Sequence, residues 1–117
     1  MLTIPIPGRE DLQLAHLILD YNGTIALDGA VIESIRSRLD KLAQSLSICV
    51  ITADTHGTAA AACRDLPLRV LTFPTAEVGK IKAQCAAELS GGVACIGNGF
   101  NDILMSDVCD LSICVMG

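Results

Sequence analysis

An aspartate at the end of an apolar run is the first feature of this sequence that suggests chemistry. The stretch LILDYNGT, residues 17–24, leads from apolar residues into Asp20 and then into a Gly-Thr turn. A carboxylate placed in this way is typical of phosphoryl-transfer enzymes that use an aspartate as the nucleophile. Such enzymes often keep a second aspartate two residues later, where this chain has Asn22. Because an amide cannot take a proton from an attacking water, the stretch predicts phosphoryl transfer without the usual general base.

Two further polar clusters follow apolar runs in the same way. Thr52 ends the run SICVIT, and GNGFND, residues 97–102, follows the run VACI. Phosphoryl transfer needs a nucleophile in line, a divalent cation and fixed positive groups on the equatorial oxygens. Mg²⁺ binds a few hard oxygens and keeps several waters, so two or three protein ligands suffice. Gly23 and Gly99 would allow backbone N–H groups to approach an anion.

Alternating strands and helices are the elements that must position these clusters. The runs LTIPIPG and LQLAHLILD predict two strands joined by a Pro-Gly turn, an N-terminal hairpin. Four more strands are predicted at LSICVITAD, LRVLTF, VACIG and LSICVM. Apolar residues at a period of 3.6 predict a helix over residues 30–44, and further helices are predicted over 58–66, 77–89 and 103–107.

This order of elements predicts the fold. Strands that alternate with helices form right-handed βαβ units and a parallel sheet, and nearly all-apolar central strands indicate burial on both faces. We therefore predict an α/β fold with a doubly wound, Rossmann-like parallel sheet, an N-terminal β-hairpin and a single domain over residues 1–117. Ligands bind beyond the carboxyl ends of the strands in such sheets. Asp20, Thr52 and the GNGFND stretch all fall at predicted strand ends.

Composition and charge argue against two classes of partner. The chain has 13 acidic and 8 basic residues, one Tyr, two Phe and no Trp, so it offers neither a basic stripe nor a stacking platform for nucleic acid. No apolar stretch approaches the roughly 20 residues of a membrane span, and the N-terminus has no signal-peptide pattern. We predict no nucleic-acid partner, no membrane partner and a cytoplasmic location.

The six cysteines show no metal-binding pattern. There is no C-x-x-C pair, and His16 and His56 have no zinc spacing relative to any cysteine. Cys49, Cys95 and Cys114 lie inside apolar runs, where a reduced thiol packs as a small hydrophobe. We expect reduced and mostly buried thiols in a reducing compartment.

Four segments together resemble a known superfamily. LDYNGT, the run that ends at Thr52, Lys80 and IGNGFND are similar to the four motifs of the haloacid dehalogenase-like hydrolases. Within that superfamily the chain most resembles small soluble proteins related to the phosphorylation domain of P-type ATPases, from near Met1 to Gly117. The resemblance implies the strand order 3-2-1-4-5 and, since the gaps between motifs are short, the absence of a cap domain. It also implies that the chain ends before the usual C-terminal helix.

The resemblance implies a role for each matching residue. Asp20 would form an aspartyl-phosphate and bind Mg²⁺, while Asn22 would occupy the acid/base position and bind the metal through its backbone carbonyl. Thr52 and the amide of Ala53 would hold phosphoryl oxygens. Lys80 would bind the phosphate and neutralise the charge on Asp20. The remaining matches are metal positions at Asn98 and Asp102 and phosphate-binding positions at Gly23 and Asn101.

Two of the four carboxylates that this superfamily usually gathers are amides here, Asn22 and Asn98. A general base contributes typically 10² to 10⁴ in rate, and that range equals about 3 to 5.5 kcal/mol of barrier. We therefore expect a Mg²⁺-dependent, phosphatase-type hydrolase that forms an aspartyl-phosphate on Asp20 and releases it slowly. Its substrate would be phosphorylated, and a capless site would suit a large substrate or a homo-oligomer.

Other interpretations stay open. A non-catalytic module that binds phosphate or a partner protein is expected if the amides abolish turnover. A receiver-like signalling domain also uses Asp, Thr, Lys and Mg²⁺, but receivers place the acceptor aspartate after the third strand. Lys82 competes with Lys80, because residues two apart on a helix cannot both face the site. Taken singly, Asp20 could be a strand-end cap, Thr52 a turn residue and Lys80 a solvated helix residue.

Overall fold

The computed structural model describes residues 1–21, 24–27, 30–52, 58–72, 84, 89, 91–97 and 109–115. Within these residues the helices are α1 (Glu33–Leu42) and α2 (Thr58–Ala62). The strands are β1 (Leu2–Ile4), β2 (Leu12–Leu14), β3 (His16–Leu19), β4 (Ala26–Leu27), β5 (Ala30–Val31), β6 (Ser47–Thr52), β7 (Arg69–Thr72), β8 (Val93–Gly97) and β9 (Leu111–Cys114). No helix in this part of the chain is long and apolar enough to cross a membrane.

A five-stranded parallel sheet, in the order β7-β6-β3-β8-β9, forms the centre of the fold. In the middle strand, Leu19 lies opposite Val50 of β6 and Ile96 of β8. All neighbouring strands of this sheet run parallel, so their carboxyl ends lie at one edge. The predicted α/β class, the parallel sheet and the N-terminal hairpin are confirmed.

The N-terminal hairpin passes directly into the central sheet. β1 and β2 pair antiparallel, with Leu2 opposite Leu14. The run LQLAHLILD, predicted as one strand, is divided at Ala15 into β2 and β3. The carbonyl of Gly92 accepts hydrogen bonds from the backbone N–H groups of Ala15 (2.8 Å) and His16 (3.0 Å), and these bonds fix the point of division. The prediction of a single strand was therefore wrong.

A second small hairpin replaces the first turn of a predicted helix. β4 and β5 pair antiparallel, with Ala26 opposite Val31. The helix predicted over residues 30–44 begins only at Glu33, after an extended Ile32 with φ −64° and ψ 129°. Val31 is buried, but it lies in β5 and not on a helix face. The helix prediction was wrong for these first residues because strand pairing holds them.

The remaining helix predictions have mixed outcomes. The segment predicted as a helix over residues 58–66 contains α2, which ends at Ala62. The guanidinium of Arg36 in α1 donates a hydrogen bond to the Ala62 carbonyl (3.0 Å), which supplies a partner for a helix-end acceptor. The predicted helix over 77–89 lies outside the described residues apart from Gln84 and Leu89, and the one over 103–107 lies outside them entirely.

Apolar side chains cover both faces of the central sheet. Successive residues of β3 and β6 alternate between two packed clusters, as the two-residue period of a strand requires. The larger cluster, on the face where Leu39 of α1 packs, includes Leu17, Leu19, Ile48, Val50 and Ala94. The smaller cluster, on the other face, consists of Ile18, Cys49, Ile51, Val93 and Cys95.

Candidate functional site

The carboxyl edge of the sheet brings two predicted site residues close together. Asp20 follows β3, and its backbone N–H donates a hydrogen bond to the carbonyl of Ile96 in β8 (3.0 Å). Thr52 ends β6, on the other side of β3. Leu19 lies opposite Val50, so Asp20 is level with Ile51, one residue short of Thr52. With neighbouring strands about 4.8 Å apart, the Cα atoms of Asp20 and Thr52 are about 6 Å apart.

The end of β8 lies on the opposite side of Asp20. Leu19 is opposite Ile96, which places Gly97 level with Asp20, at a Cα separation of about 5 Å. Gly97 is the last residue of β8 and begins the GNGFND stretch. The other predicted site residues lie outside the described part of the chain, so their roles stay predictions: Asn22, Gly23, Ala53, Lys80, Asn98, Asn101 and Asp102.

A tight turn follows Asp20 immediately. The carbonyl of Tyr21 accepts hydrogen bonds from the N–H groups of Thr24 (3.2 Å), Ile25 (3.1 Å) and Ala26 (3.1 Å). Tyr21 itself is buried, with 1% of its surface exposed. The segment after the candidate nucleophile is therefore anchored on a buried aromatic residue. Sequence reasoning missed Tyr21, because neither its burial nor the hydrogen bonds to its carbonyl can be deduced from its place beside Asp20.

Burial differs between the polar residues at this edge. Asp20 is half-buried, whereas the buried polar residues of the described chain are Thr24 and Thr52. Within the part of the chain that the structure describes, the hydroxyl of Thr24 has no hydrogen-bond partner, and an unmet buried donor costs about 1–3 kcal/mol. Both threonines belong to the segments that end at or follow the carboxyl edge. Two threonines are thus buried near the end of the sheet, while Asp20 is half-buried.

The predicted metal ligands are all oxygen donors. A half-buried carboxylate such as Asp20 suits Mg²⁺, which prefers hard oxygen ligands, and the other three predicted ligands lie outside the described residues. Within the described part, no three His, Cys, Asp or Glu side chains lie close enough to form a metal site. The predicted ligands are therefore of a type that Mg²⁺ prefers, and Asp20 is the one that lies within the described residues.

Among the described cysteines, Cys63 and Cys109 have thiols of raised pKa. The described free thiols are Cys49, Cys63, Cys95 and Cys109, and the burial predicted for Cys49 and Cys95 is confirmed. Burial raises the pKa of the Cys63 thiol, although the positive charge of Arg36 acts against this shift. Burial, followed by the hydrogen bond and charge of Cys95 and the charge of Asp110, raises the pKa of Cys109 to about 12. Since the thiolate is the reactive form, Cys63 and Cys109 are poor nucleophiles at neutral pH.

Comparison with known proteins gives a relative without a stated activity. No protein-family model matches the chain, and no solved structure matches it. A stretch of 39 residues, 33% of the chain, is 44% identical to the uncharacterized protein MJ0072 of Methanocaldococcus jannaschii and spans 89% of that relative. At this identity and coverage of the relative, the chain belongs to the same family as MJ0072, and that membership assigns no activity to it.

Proposed function

We propose that this protein is a Mg²⁺-dependent phosphoryl-transfer enzyme that forms an aspartyl-phosphate on Asp20 and releases it slowly. The observation that carries the proposal is the alignment of Asp20 between Thr52 and Gly97 at one edge of a parallel sheet. Ligands of parallel α/β sheets bind at this edge. Asp20 is half-buried there, so a phosphorylated substrate can reach its carboxylate.

The proposed class is haloacid dehalogenase-like, related to soluble forms of the P-type ATPase phosphorylation domain. Numbered within the central sheet alone, the order β7-β6-β3-β8-β9 reads 3-2-1-4-5, which supports this likeness. Most of the chain between Asp20 and Thr52 is taken up by β4, β5, α1 and β6, which favours a capless, doubly wound arrangement.

The proposed reaction has two displacements at phosphorus. An oxygen of the Asp20 carboxylate attacks the phosphoryl group, the bond to the leaving oxygen breaks, and that oxygen takes a proton from solvent. Thr52, the Ala53 amide and Lys80 would stabilise the charge on the phosphoryl oxygens. Water then attacks the aspartyl-phosphate, the bond between phosphorus and Asp20 breaks, and inorganic phosphate leaves. The second displacement is slow because the amide of Asn22 cannot accept the water's proton.

Asp20, the Asn22 carbonyl, Asn98 and Asp102 would hold Mg²⁺, which would neutralise negative charge on the phosphoryl oxygens. An amide at position 98 in place of a carboxylate weakens this site. At 4 Å and an effective dielectric constant near 20, the loss of one carboxylate charge removes about 8 kcal/mol of attraction to a dication, before the desolvation cost of a carboxylate is subtracted. Weak Mg²⁺ binding is therefore expected.

The amides at positions 22 and 98 favour a second candidate function, a module that binds phosphate or a partner protein without turnover. Both candidates use the same edge of the sheet. They differ in whether a covalent bond to Asp20 forms, and this difference can be measured directly.

The test is incubation of the full chain with acetyl phosphate and Mg²⁺, followed by intact mass measurement. A retained mass increase of one phosphate, absent in Asp20→Asn, is the expected result. Phosphate release without any mass increase would mean that hydrolysis is faster than proposed. If neither is seen, the binding module replaces the enzyme.

Metal dependence is tested in the same assay. Chelation of Mg²⁺ should abolish labelling, and Asp102→Ala should remove the response to added Mg²⁺. Asp40→Ala is the matched control, because Asp40 is an exposed acid on α1. A normal Mg²⁺ titration in Asp102→Ala would contradict the assigned ligand.

A further inference from the structure

The two edge strands of the central sheet differ in how they are protected. Charged residues and prolines at a sheet edge discourage pairing with another chain. At one edge, β7 carries the exposed Arg69 and is preceded by the exposed Pro67. At the other edge, β9 has the sequence LSIC and no charged residue. The nearest acid, Asp110, precedes the strand and is exposed, and its carboxylate accepts a hydrogen bond from the Val93 N–H (2.8 Å). Within the described part of the chain, β9 itself therefore carries no charge that would discourage pairing with another chain.

An apolar trough with a volume of about 330 Å³ lies alongside β9, on the face where α1 packs. Its walls come from the sheet and from one stripe of α1, and its apolar lining includes Ile35, Leu39, Leu42, Ile96, Ile113 and Val115. Ile113 is 45% exposed, which is unusual for an isoleucine in a central sheet. The uncharged edge and this trough together form one continuous surface, which we call the β9 surface.

We propose that a second copy of this chain covers the β9 surface. Each β9 would pair antiparallel with the β9 of the other copy across a two-fold axis. Antiparallel pairing of a strand with itself is self-complementary, because the outward-facing N–H and C=O groups of one β9 meet the outward-facing groups of the other. The pairing would also bury both copies of Ile113. This inference rests on the outer strand β9 and the trough beside it, and it is independent of the proposed phosphoryl transfer.

The residues of β9 add no charge repulsion to self-association. Each copy carries a net charge of −5, so two copies repel each other over a screening length of about 8 Å at physiological ionic strength. The strand residues Leu111–Cys114 bring no acid into the contact, and the described charged residue of the trough, Arg38, is positive. Two copies can therefore meet here without placing strand acids against one another.

Backbone pairing alone buries too little surface area for a stable dimer. Stable interfaces bury about 1,600 Å² in total, and β9 has only four residues. Ile113 and Val115 both line the trough, so their side chains add apolar area on one face of the paired strands. The proposed interface therefore consists of the strand edge and the trough together.

The experiment is sedimentation velocity on the full chain, without substrate, from low to high micromolar concentration. We expect a dimer that dissociates on dilution. Ile113→Lys should weaken dimerisation at least about ten-fold, because a charge would enter the buried contact. Ile32→Lys is the matched control and should leave dimerisation unchanged, since Ile32 is similarly exposed (39%) but does not line the trough.

Hydrogen exchange on the unmodified chain tests the same surface even if Ile113→Lys fails to fold. Amides of β9 should exchange more slowly as the protein concentration rises, whereas amides of the other edge strand, β7, should not change. A chain that stays monomeric at every concentration overturns the proposal. A dimer unaffected by Ile113→Lys, or protection gained at β7 instead of β9, overturns it equally.

Discussion

Asp20 and Asn22, a carboxylate and an amide two residues apart, affect the two displacements of the proposed reaction differently. Asp20, the proposed nucleophile, lies at the carboxyl end of the sheet, beside the ends of β6 and β8. Asn22 is two residues later, where the enzymes that this motif resembles often have an acid that activates water. P-type ATPases, which this motif resembles, also have a non-acid at this position and keep a lasting phosphoenzyme. The pair therefore favours a slowly hydrolysed intermediate.

We predict that Asn22→Asp raises phosphatase turnover roughly ten-fold or more, at the low end of what a general base supplies. The new carboxylate would orient and deprotonate the water that attacks the aspartyl-phosphate. Its negative charge opposes the incoming phosphate, but Mg²⁺ and Lys80 outweigh one added charge. Labelling of Asp20 by acetyl phosphate should change little. Steady-state phosphate release and intact mass are the two measurements.

Asp20→Asn is the control for this prediction and must abolish both labelling and release. Should Asn22→Asp leave turnover flat while Asp20 still labels, the missing base is not what limits hydrolysis. Metal affinity or substrate access would then set the rate.

Only part of the candidate site could be predicted from the sequence. Residues that mark strand ends in the local pattern were predictable, whereas residues that act through backbone hydrogen bonds and burial were not. Asp20 and Thr52 were predictable as edge residues, because apolar runs that end in a polar residue mark strand ends locally. Tyr21 was not, because it acts through a backbone carbonyl that anchors three N–H groups and through burial of its ring. An aromatic residue between an acid and a turn does not disclose either contribution.

At the scale of elements, local pattern predicted the existence of strands better than their limits. β2 stops before Ala15 because the carbonyl of Gly92, 77 positions later, accepts the Ala15 N–H. Val31 fits the apolar period of a helix equally well, but pairing with Ala26 draws it into β5. In both places a contact with another segment overrode the local preference. Such contacts form only when the sheet assembles, so the local periodicity of apolar residues does not predict them.

Gly92 is the residue on which the junction between the hairpin and the central sheet depends. Its carbonyl holds Ala15 and His16, and a Cβ atom at this position would collide with the backbone carbonyl of Gln13. We predict that Gly92→Ala lowers the free energy of unfolding by about 3 kcal/mol, at the upper end of the common range. Urea unfolding followed by circular dichroism measures this loss.

Gly8→Ala provides the comparison for the Gly92 prediction. Gly8 has φ +84°, but a Cβ there meets nothing within 4 Å. Its substitution should therefore cost only the left-handed conformation, about 1 kcal/mol. A Gly92→Ala variant no less stable than Gly8→Ala would show that the junction adapts to a side chain.

At the scale of the whole molecule, the two packed clusters share the same strands. Val50 and Ile51 are adjacent in β6, both fully buried, and they belong to opposite clusters. Loss of β6 or β3 would expose both faces of the sheet at once. A sheet whose central strands serve both clusters should therefore unfold as one unit, in keeping with the prediction of a single domain.

Two native thiols can report on this cooperativity, one from each cluster. Cys63 is buried in the larger cluster and Cys95 in the smaller one. We predict that both become reactive at the same urea concentration in pulsed alkylation followed by peptide mass measurement.

Leu19→Ala removes larger-cluster contacts and Ile18→Ala removes smaller-cluster contacts, and each should cost about 2–5 kcal/mol. Because the strands are shared, either variant should lower the midpoints of both thiols equally. Ile32→Ala, at an exposed position, should move neither midpoint. If Leu19→Ala shifted Cys63 but left Cys95 unchanged, the two faces would be separate folding units, and β3 would not transmit stability between them.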